Sequence, residues 1–195
     1  MYKNKLAGKQ SNAGSVILAL EQALYEKSSE TMEHTQRLKE LSIKLGKKVK
    51  LHLHQLDELS LLASLHDIGK VAVPETILLK EGKLNGNEWE VIKRHSETGF
   101  NIAQSSPQIA HIAKYILSCH ENWDGSGYPT GLAREEIPLL SRIVAIADSY
   151  DVMISKRTYK DAKSKEDAVK ELKGCAGTQF DPALIEKFIE VLAEK

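Results

Sequence analysis

The sequence has few cysteines, no excess of either charge, and no long apolar run. Its two cysteines, Cys119 and Cys175, are too few for a disulfide framework and are typical of a reducing compartment. Lysine plus arginine equals aspartate plus glutamate, at 27 each, so no basic excess favours duplex nucleic acid. No stretch has the apolar length of a membrane span or of a signal-peptide core. We therefore expect a cytoplasmic protein with neither a membrane nor duplex nucleic acid as partner.

Apolar residues recur at helical spacing along most of the chain, and no alternating run is long enough to predict a strand. The predicted fold class is therefore all-α. Residues 1–14 are polar and are predicted to be a flexible tail or the remnant of a linker. Residues 15–195 are predicted to form one domain that begins with a connecting helix over about 15–45. The apolar stripe of that helix would suit a homodimer contact.

Glycine, proline and capping residues mark the predicted helix ends. Gly46 is expected to end the first helical region. Further helices are predicted at about 53–65, 85–95, 109–117 and 139–154. Two more begin at the caps Ser164 and Asp181. The glycine-rich segment WDGSGYPTGL interrupts the helices and is predicted to be a loop.

Four of the seven histidines lie beside other metal-capable groups or at a predicted helix end, namely His34, His66, His95 and His120. Neighbours on a helix point about 100° apart, so His66 and Asp67 can converge on one ion only at a helix terminus, which the following Gly69 supplies. Glu30 precedes His34 by four residues, the spacing of one helical face. Asp148 lies in an apolar run, where a carboxylate is costly to bury without a partner. Imidazole and carboxylate together favour iron, manganese, zinc or nickel over calcium.

Several segments together resemble the HD-GYP branch of the HD phosphohydrolases: LHDIGK, KRH, CHENWDGSGYP, SRIVAIADSYD and GTQFDP. The resemblance runs from about Glu30 to the end of the chain. It implies a helical bundle that holds two or three divalent metal ions, most often iron or manganese, with nickel, zinc and magnesium as further candidates. It also implies hydrolysis of cyclic di-GMP to pGpG and then to GMP, or of mixed cyclic GMP-AMP.

The resemblance assigns roles position by position. The implied metal ligands are Glu30, His34, His66, Asp67, His95, Cys119, His120 and Asp148. Asp67 would bridge two metals and Lys70 would contact the scissile phosphate, which makes these two the expected catalytic residues. The substrate-binding residues would be Lys70, Gly127, Tyr128, Pro129, Arg157 and Lys160. Of these, Arg157 and Lys160 are also compatible with a solvated basic turn.

One position departs from the family pattern. HD-GYP proteins usually have two consecutive histidines before the glutamate of this loop, and the first is Cys119 here. The resemblance assigns His95 and His120 to the second metal site. A thiolate can bind a soft or borderline metal, which would preserve this second site with an altered metal preference. Alternatively the second site is weakened, leaving a mononuclear or poorly active centre.

Other interpretations of the same residues stay open. An HD hydrolase for another nucleotide would share the His-Asp pair, and an inactive module could bind a cyclic dinucleotide or a partner protein such as a diguanylate cyclase (GGDEF) domain. Glu30 lies among glutamates and lysines that are typical of a solvated helix face. Trp89 and Trp123 are predicted to be packing residues, although Trp123 begins the GYP loop.

Overall fold

The computed structural model describes residues 2–28, 31–155 and 162–194, with side chains from residue 14 onward. Within these ranges the regular structure is helical, and the nearest feature to a sheet is an isolated bridge between Ala176 and Phe180. The helices are α1 (Tyr2–Lys27), α2 (Met32–Lys48), α3 (Leu53–Leu65), α4 (Glu75–Leu78), α5 (Gly86–Lys93), α6 (His95–Ser105), α7 (Ala113–Leu117), α8 (Leu139–Ile154), α9 (Lys165–Gly174) and α10 (Pro182–Ala193). The predicted all-α class is confirmed.

The N-terminal region differs from the expected arrangement. Helix α1 begins at Tyr2, ahead of the predicted start at residue 15. The helix predicted over about 15–45 is divided, because α1 ends at Lys27 and α2 begins at Met32. Thr31 caps α2, and its side chain accepts a hydrogen bond from the His34 backbone N–H at 3.1 Å. The cap places His34 in the first turn of α2.

Gly46 does not end a helix as predicted, because α2 continues through it to Lys48. A Cβ atom at this position would lie 2.9 Å from the Cδ2 atoms of both Leu56 and Leu59. The missing side chain therefore lets α2 and α3 pack closely. The role of Gly46 therefore follows from the packing of α3 against α2, and not from a helix end.

Helices α2, α3 and α8 pack against one another and form the centre of the molecule. Helix α8 has the predicted bounds and a strongly apolar inward face, whose residues are fully buried: Ile143, Val144, Ile146 and Ala147. Removing these side chains from water is the main favourable term in forming this bundle. The buried core also fixes the polar residues that the same helices carry.

Most predicted helix starts are confirmed by their caps. Asn85 and Glu88 form a reciprocal capping box at α5, and the side chains of Ser164 and Asp181 cap α9 and α10. The helix predicted at 109–117 is shorter, since a 3₁₀ turn at Ala110–Ile112 precedes α7. Helix α6 was not predicted from the sequence.

Candidate metal centre

His66 and Asp67 lie at a junction between two helical segments. Helix α3 ends at Leu65 with His66 as its C-cap, and Asp67 precedes a 3₁₀ turn at Ile68–Ala72. The change of direction at this junction allows the side chains of His66 and Asp67 to face the same region. A helix end at this point was predicted from Gly69.

Gly69 brings this 3₁₀ turn against α6. A Cβ atom on Gly69 would lie 1.9 Å from the His95 carbonyl oxygen and 2.6 Å from the Gly99 backbone nitrogen. Only a residue without a side chain fits such a contact. Because His95 is the first residue of α6, the contact sets how far His95 lies from Asp67.

Asp67, His95 and His120 converge in space. The Asp67 Oδ1 atom lies 3.1 Å from His95 Nε2 and 3.3 Å from His120 Nε2, and the two Nε2 atoms are 2.9 Å apart. One potential ligand atom from each of the three residues lies within 4.8 Å of the other two. Within 2–28, 31–155 and 162–194 this is the one such group of three or more potential ligands.

The ring orientations of two histidines fit a metal cluster. His95 Nδ1 lies 2.7 Å from the Ile92 carbonyl oxygen, and His66 Nδ1 lies 3.2 Å from the Ala63 carbonyl oxygen. A carbonyl oxygen can only accept, so each Nδ1 carries a proton and Nε2 is the ring nitrogen available to a metal ion. Metal-binding histidines are oriented in this way by an acceptor at the other ring nitrogen.

The electrostatics of the cluster favour an ionised Asp67 beside a neutral His120. Burial alone would raise the pKa of the Asp67 carboxyl, but Lys70, His66 and a hydrogen bond to His120 hold it well below its ordinary value. Burial lowers the pKa of His120 below its ordinary value, although Asp67 opposes this. A carboxylate and a neutral imidazole are the protonation states in which these side chains bind a divalent cation.

His34 and Asp148 form a second pair beside this group. His34 Nε2 lies 3.4 Å from Asp148 Oδ1, and His34 Nδ1 lies 2.7 Å from Asp151 Oδ2. Arg37 donates to both oxygens of Asp151, at 2.6 and 2.9 Å. Burial would raise the pKa of Asp151, but hydrogen bonds from His34 and Arg37 lower it. The fully buried Asp151 therefore stays charged and orients the His34 ring.

Arg37 and Asp151 were not among the site residues predicted from the sequence. A signal was present, because Arg37 follows His34 by three residues and Asp151 follows Asp148 by three. Each of these residues therefore lies on the same face of its helix as the expected ligand.

The expected ligands fall into three groups in the structure. Asp67, His95 and His120 form the compact cluster, while His66 contacts Asp67, with its Nε2 3.3 Å from Asp67 Oδ2. His34 pairs with Asp148 outside that cluster. Glu30 lies outside the described residues, as do Arg157 and Lys160.

Cys119 is next to the cluster but its sulfur has another partner. The Sγ atom donates to the Tyr115 carbonyl oxygen at 3.2 Å, and the residue is 3% exposed. Burial raises the pKa of the Cys119 thiol well above its ordinary value, with Asp67 and Asp148 adding to the effect. The sulfur is not part of the compact group that Asp67, His95 and His120 form.

The GYP loop covers the cluster from one side. A Cβ atom on Gly127 would lie 2.2 Å from the Asn122 backbone nitrogen, so the loop folds back tightly on itself. The Tyr128 ring lies parallel to the His120 ring, with centroids 5.2 Å apart and an interplanar angle of 7°. Burial raises the pKa of Tyr128, and Asp67 nearby acts in the same direction. Tyr128 is therefore a neutral phenol beside the cluster.

Glu121 holds this loop in place through hydrogen bonds, and it was not among the site residues predicted from the sequence. One of its oxygens accepts from the Thr130 backbone N–H and hydroxyl, both at 2.7 Å, and the other accepts from the Gly131 N–H at 3.1 Å. The residue is 4% exposed. A buried carboxylate needs several donors, and here the loop that presents Tyr128 supplies them.

A cavity of about 410 Å³ opens beside the cluster. Its walls include His66, His120, Tyr128, Asp148 and Trp89. Trp89 is not the packing residue that the sequence predicted, because it is 46% exposed at this cavity. Lys70 lies at the cluster itself, with Nζ 2.5 Å from Asp67 Oδ2. The cavity has the size of a small-molecule site.

The fold and the cluster agree with the comparison to known proteins. A profile of the HD domain matches residues 19–184. The chain belongs to the HD-domain family. It is 41% identical over 167 residues to a protein of Thermotoga maritima named cyclic di-GMP phosphodiesterase, a match that covers 85% of this chain and 45% of the relative. It is 36% identical over 189 residues to the 3′3′-cGAMP-specific phosphodiesterase 2 of Vibrio cholerae, covering 96% of this chain and 36% of the relative.

A solved structure has the same fold. The crystal structure of a cyclic GMP-AMP specific phosphodiesterase of V. cholerae matches with a TM-score of 0.72 at 23% identity, covering 92% of this chain and 48% of that one. The HD-GYP resemblance is confirmed by these matches. This HD-domain chain spans less than half the length of the two curated relatives. Among the described residues, no helix combines the length and apolarity needed to cross a membrane.

Proposed function

We propose that this HD domain is a metal-dependent phosphodiesterase that hydrolyses cyclic di-GMP to pGpG and then to GMP. The observation that carries the proposal is the buried cluster of Asp67, His95 and His120, which has Lys70 beside it and a 410 Å³ cavity in front of it. Two relatives are named as phosphodiesterases of cyclic dinucleotides, which supports the same substrate class for this chain. The expected divalent ions, with iron and manganese as the first candidates, would be held by this cluster together with His66, His34 and Asp148.

Hydrolysis adds one water across one phosphodiester bond. The water oxygen stays on phosphorus as a 5′-phosphate, the P–O3′ bond breaks, and the 3′ oxygen takes a proton. When bound, divalent ions would supply Lewis-acid stabilisation of the charge that builds on the phosphoryl oxygens. Lys70 adds a cation at the same place. Tyr128 shields one face of His120, and the Ile92 carbonyl fixes the ring of His95 for metal binding.

The names of the relatives favour two cyclic dinucleotides. One relative is named for cyclic di-GMP and the other for 3′3′-cGAMP. The cluster acts on a phosphodiester that both molecules contain, so the choice between them depends on base contacts. The names give no support to the expected homodimer or to the diguanylate cyclase partner, and both stay predictions.

The proposal is tested by assaying protein purified without oxygen, with metal quantified on the same sample. We expect turnover of cyclic di-GMP and about two metal ions per chain, as a two-metal phosphodiesterase requires. The substrate panel contains cyclic di-GMP, 3′3′-cGAMP, cyclic di-AMP, pGpG and deoxynucleoside triphosphates. Turnover of the triphosphates alone would instead identify another kind of HD hydrolase. Stoichiometric binding of a cyclic dinucleotide without turnover would identify a binding module.

Cys119→His is expected to tighten binding of the second metal ion by about tenfold or more, because it adds an imidazole beside His120. Cys119→Ser is the matched control, since it removes the sulfur and keeps the side-chain size. If the thiol is no ligand, the serine variant keeps the metal content of the parent. Loss of one metal ion in Cys119→Ser would show that sulfur binds metal in this chain. Metal titration followed by calorimetry distinguishes these results.

A further inference from the structure

Three aromatic rings in contact lead from the metal cluster to the mouth of the cavity. His120 belongs to the cluster, and Tyr128 lies parallel to it at 5.2 Å. Trp89 meets Tyr128 edge to face, with ring centroids 6.3 Å apart and an interplanar angle of 78°. Trp89 is thus two ring contacts from His120, an expected metal ligand.

The position of Trp89 is more informative than its exposure. A single exposed apolar side chain is common on protein surfaces. Trp89, however, lines the same cavity as His66, His120 and Asp148. The edge contact with Tyr128 also restrains the indole, so a flat ligand group can stack on it at little cost in side-chain entropy.

Lys93 adds a positive charge on the same face of α5. It follows Trp89 by four residues, which places the two side chains one turn apart. Lys93 lines the 410 Å³ cavity and also an adjacent cavity of about 240 Å³, which is formed with Tyr128 and Pro129. Its Nζ atom is 2.5 Å from Glu90 Oε1, but the Glu90 side chain is 63% exposed. Such a solvated ion pair is weak, so the ammonium group can exchange it for a phosphate.

We propose that this face of α5 is a nucleotide-binding wall, in which Trp89 stacks on a purine base and Lys93 binds the phosphate that is not being cleaved. The inference rests on the proposed function. A cyclic dinucleotide carries two phosphates and two bases on one ring. With one phosphate at the cluster, an adjoining nucleoside extends toward the cavity mouth, where Trp89 lies. Every base has a π-face that can stack on an aromatic ring, and each phosphate attracts a cation.

Intrinsic fluorescence tests the stacking directly, because the chain has two tryptophans, Trp89 and Trp123. Mn²⁺-loaded protein is mixed rapidly with cyclic di-GMP, and emission is followed before and during turnover. We expect saturable quenching in the parent and in Trp123→Phe, and none in Trp89→Phe. Trp123 is a suitable internal control, because it packs against Arg142 at 5.6 Å and lines a different, smaller cavity.

Steady-state kinetics give a second readout that does not depend on fluorescence. Trp89→Leu should raise KM about tenfold or more with a smaller change in kcat, as expected for loss of one base stack. Trp89→Phe should recover part of this loss because it keeps an aromatic face. Lys93→Gln should raise KM and weaken its dependence on salt, whereas Lys93→Arg should keep both close to the parent values.

The outcomes separate the inference from the proposed function. Turnover of cyclic di-GMP with unchanged Trp89 emission and an unchanged KM in Trp89→Leu would overturn the nucleotide-binding wall and leave the phosphodiesterase intact. Absence of both turnover and quenching with cyclic di-GMP, 3′3′-cGAMP and cyclic di-AMP would overturn both. Quenching that saturates near KM in the parent, and that is lost in Trp89→Phe, supports the inference.

Discussion

Replacing Asp67 with asparagine is expected to lower the turnover of cyclic di-GMP by about a thousandfold or more. Asp67 contacts His66, His95, His120 and Lys70 at once, and its two oxygens face different partners. The amide keeps the shape of the carboxylate but removes the negative charge that a cation between these residues requires. Bound metal should fall together with turnover, and both are measured on the same protein sample.

Asp57→Asn is the matched control for this experiment. Asp57 is exposed on α3, ten residues before Asp67, so the same chemical change there should leave turnover and metal content as in the parent. Circular dichroism should show a folded helical protein for both variants, since asparagine fits the space of aspartate. An Asp67→Asn protein that hydrolyses cyclic di-GMP at the parent rate would remove the proposed mechanism.

Local signals in the sequence predicted many elements of the fold correctly. Helix α8 has the predicted bounds, and the caps at Asn85, Ser164 and Asp181 begin α5, α9 and α10. These features depend on neighbouring residues, because a cap bonds to a backbone N–H two or three positions away. The same holds for His66 and Asp67, whose helix end could be inferred from the glycine that follows.

Features that depend on distant contacts could not be predicted in the same way. Glu121 was not identified, because its acceptor role depends on where the loop returns with Thr130 and Gly131. Gly46 was interpreted as a helix end, although it is required for the approach of α3. Trp89 was interpreted as a packing residue, although the fold places it at a cavity. In each case the residue's partner comes from another segment of the chain, which spacing along the sequence does not reveal.

Gly69→Ala is expected to lower the free energy of unfolding by about 3 kcal/mol and to disrupt the metal cluster as well. The added Cβ would lie 1.9 Å from the His95 carbonyl oxygen, and a backbone atom cannot turn aside as a side chain can. The 3₁₀ turn that follows Asp67 must therefore separate from α6. Separation would move Asp67 away from His95, so metal affinity and turnover should fall with stability.

Gly174→Ala is the control, and it should act in the opposite direction. Gly174 is the last residue of α9, and a Cβ atom there would meet nothing within 4 Å. Alanine at such a helical position restricts the unfolded chain and should stabilise the protein by about 0.5–1 kcal/mol. Urea unfolding measures both changes on metal-free protein, so that loss of metal does not contribute to the difference. If Gly69→Ala unfolds at the parent midpoint, the close contact between the turn and α6 does not exist in solution. The distance between Asp67 and His95 must then be set by other residues.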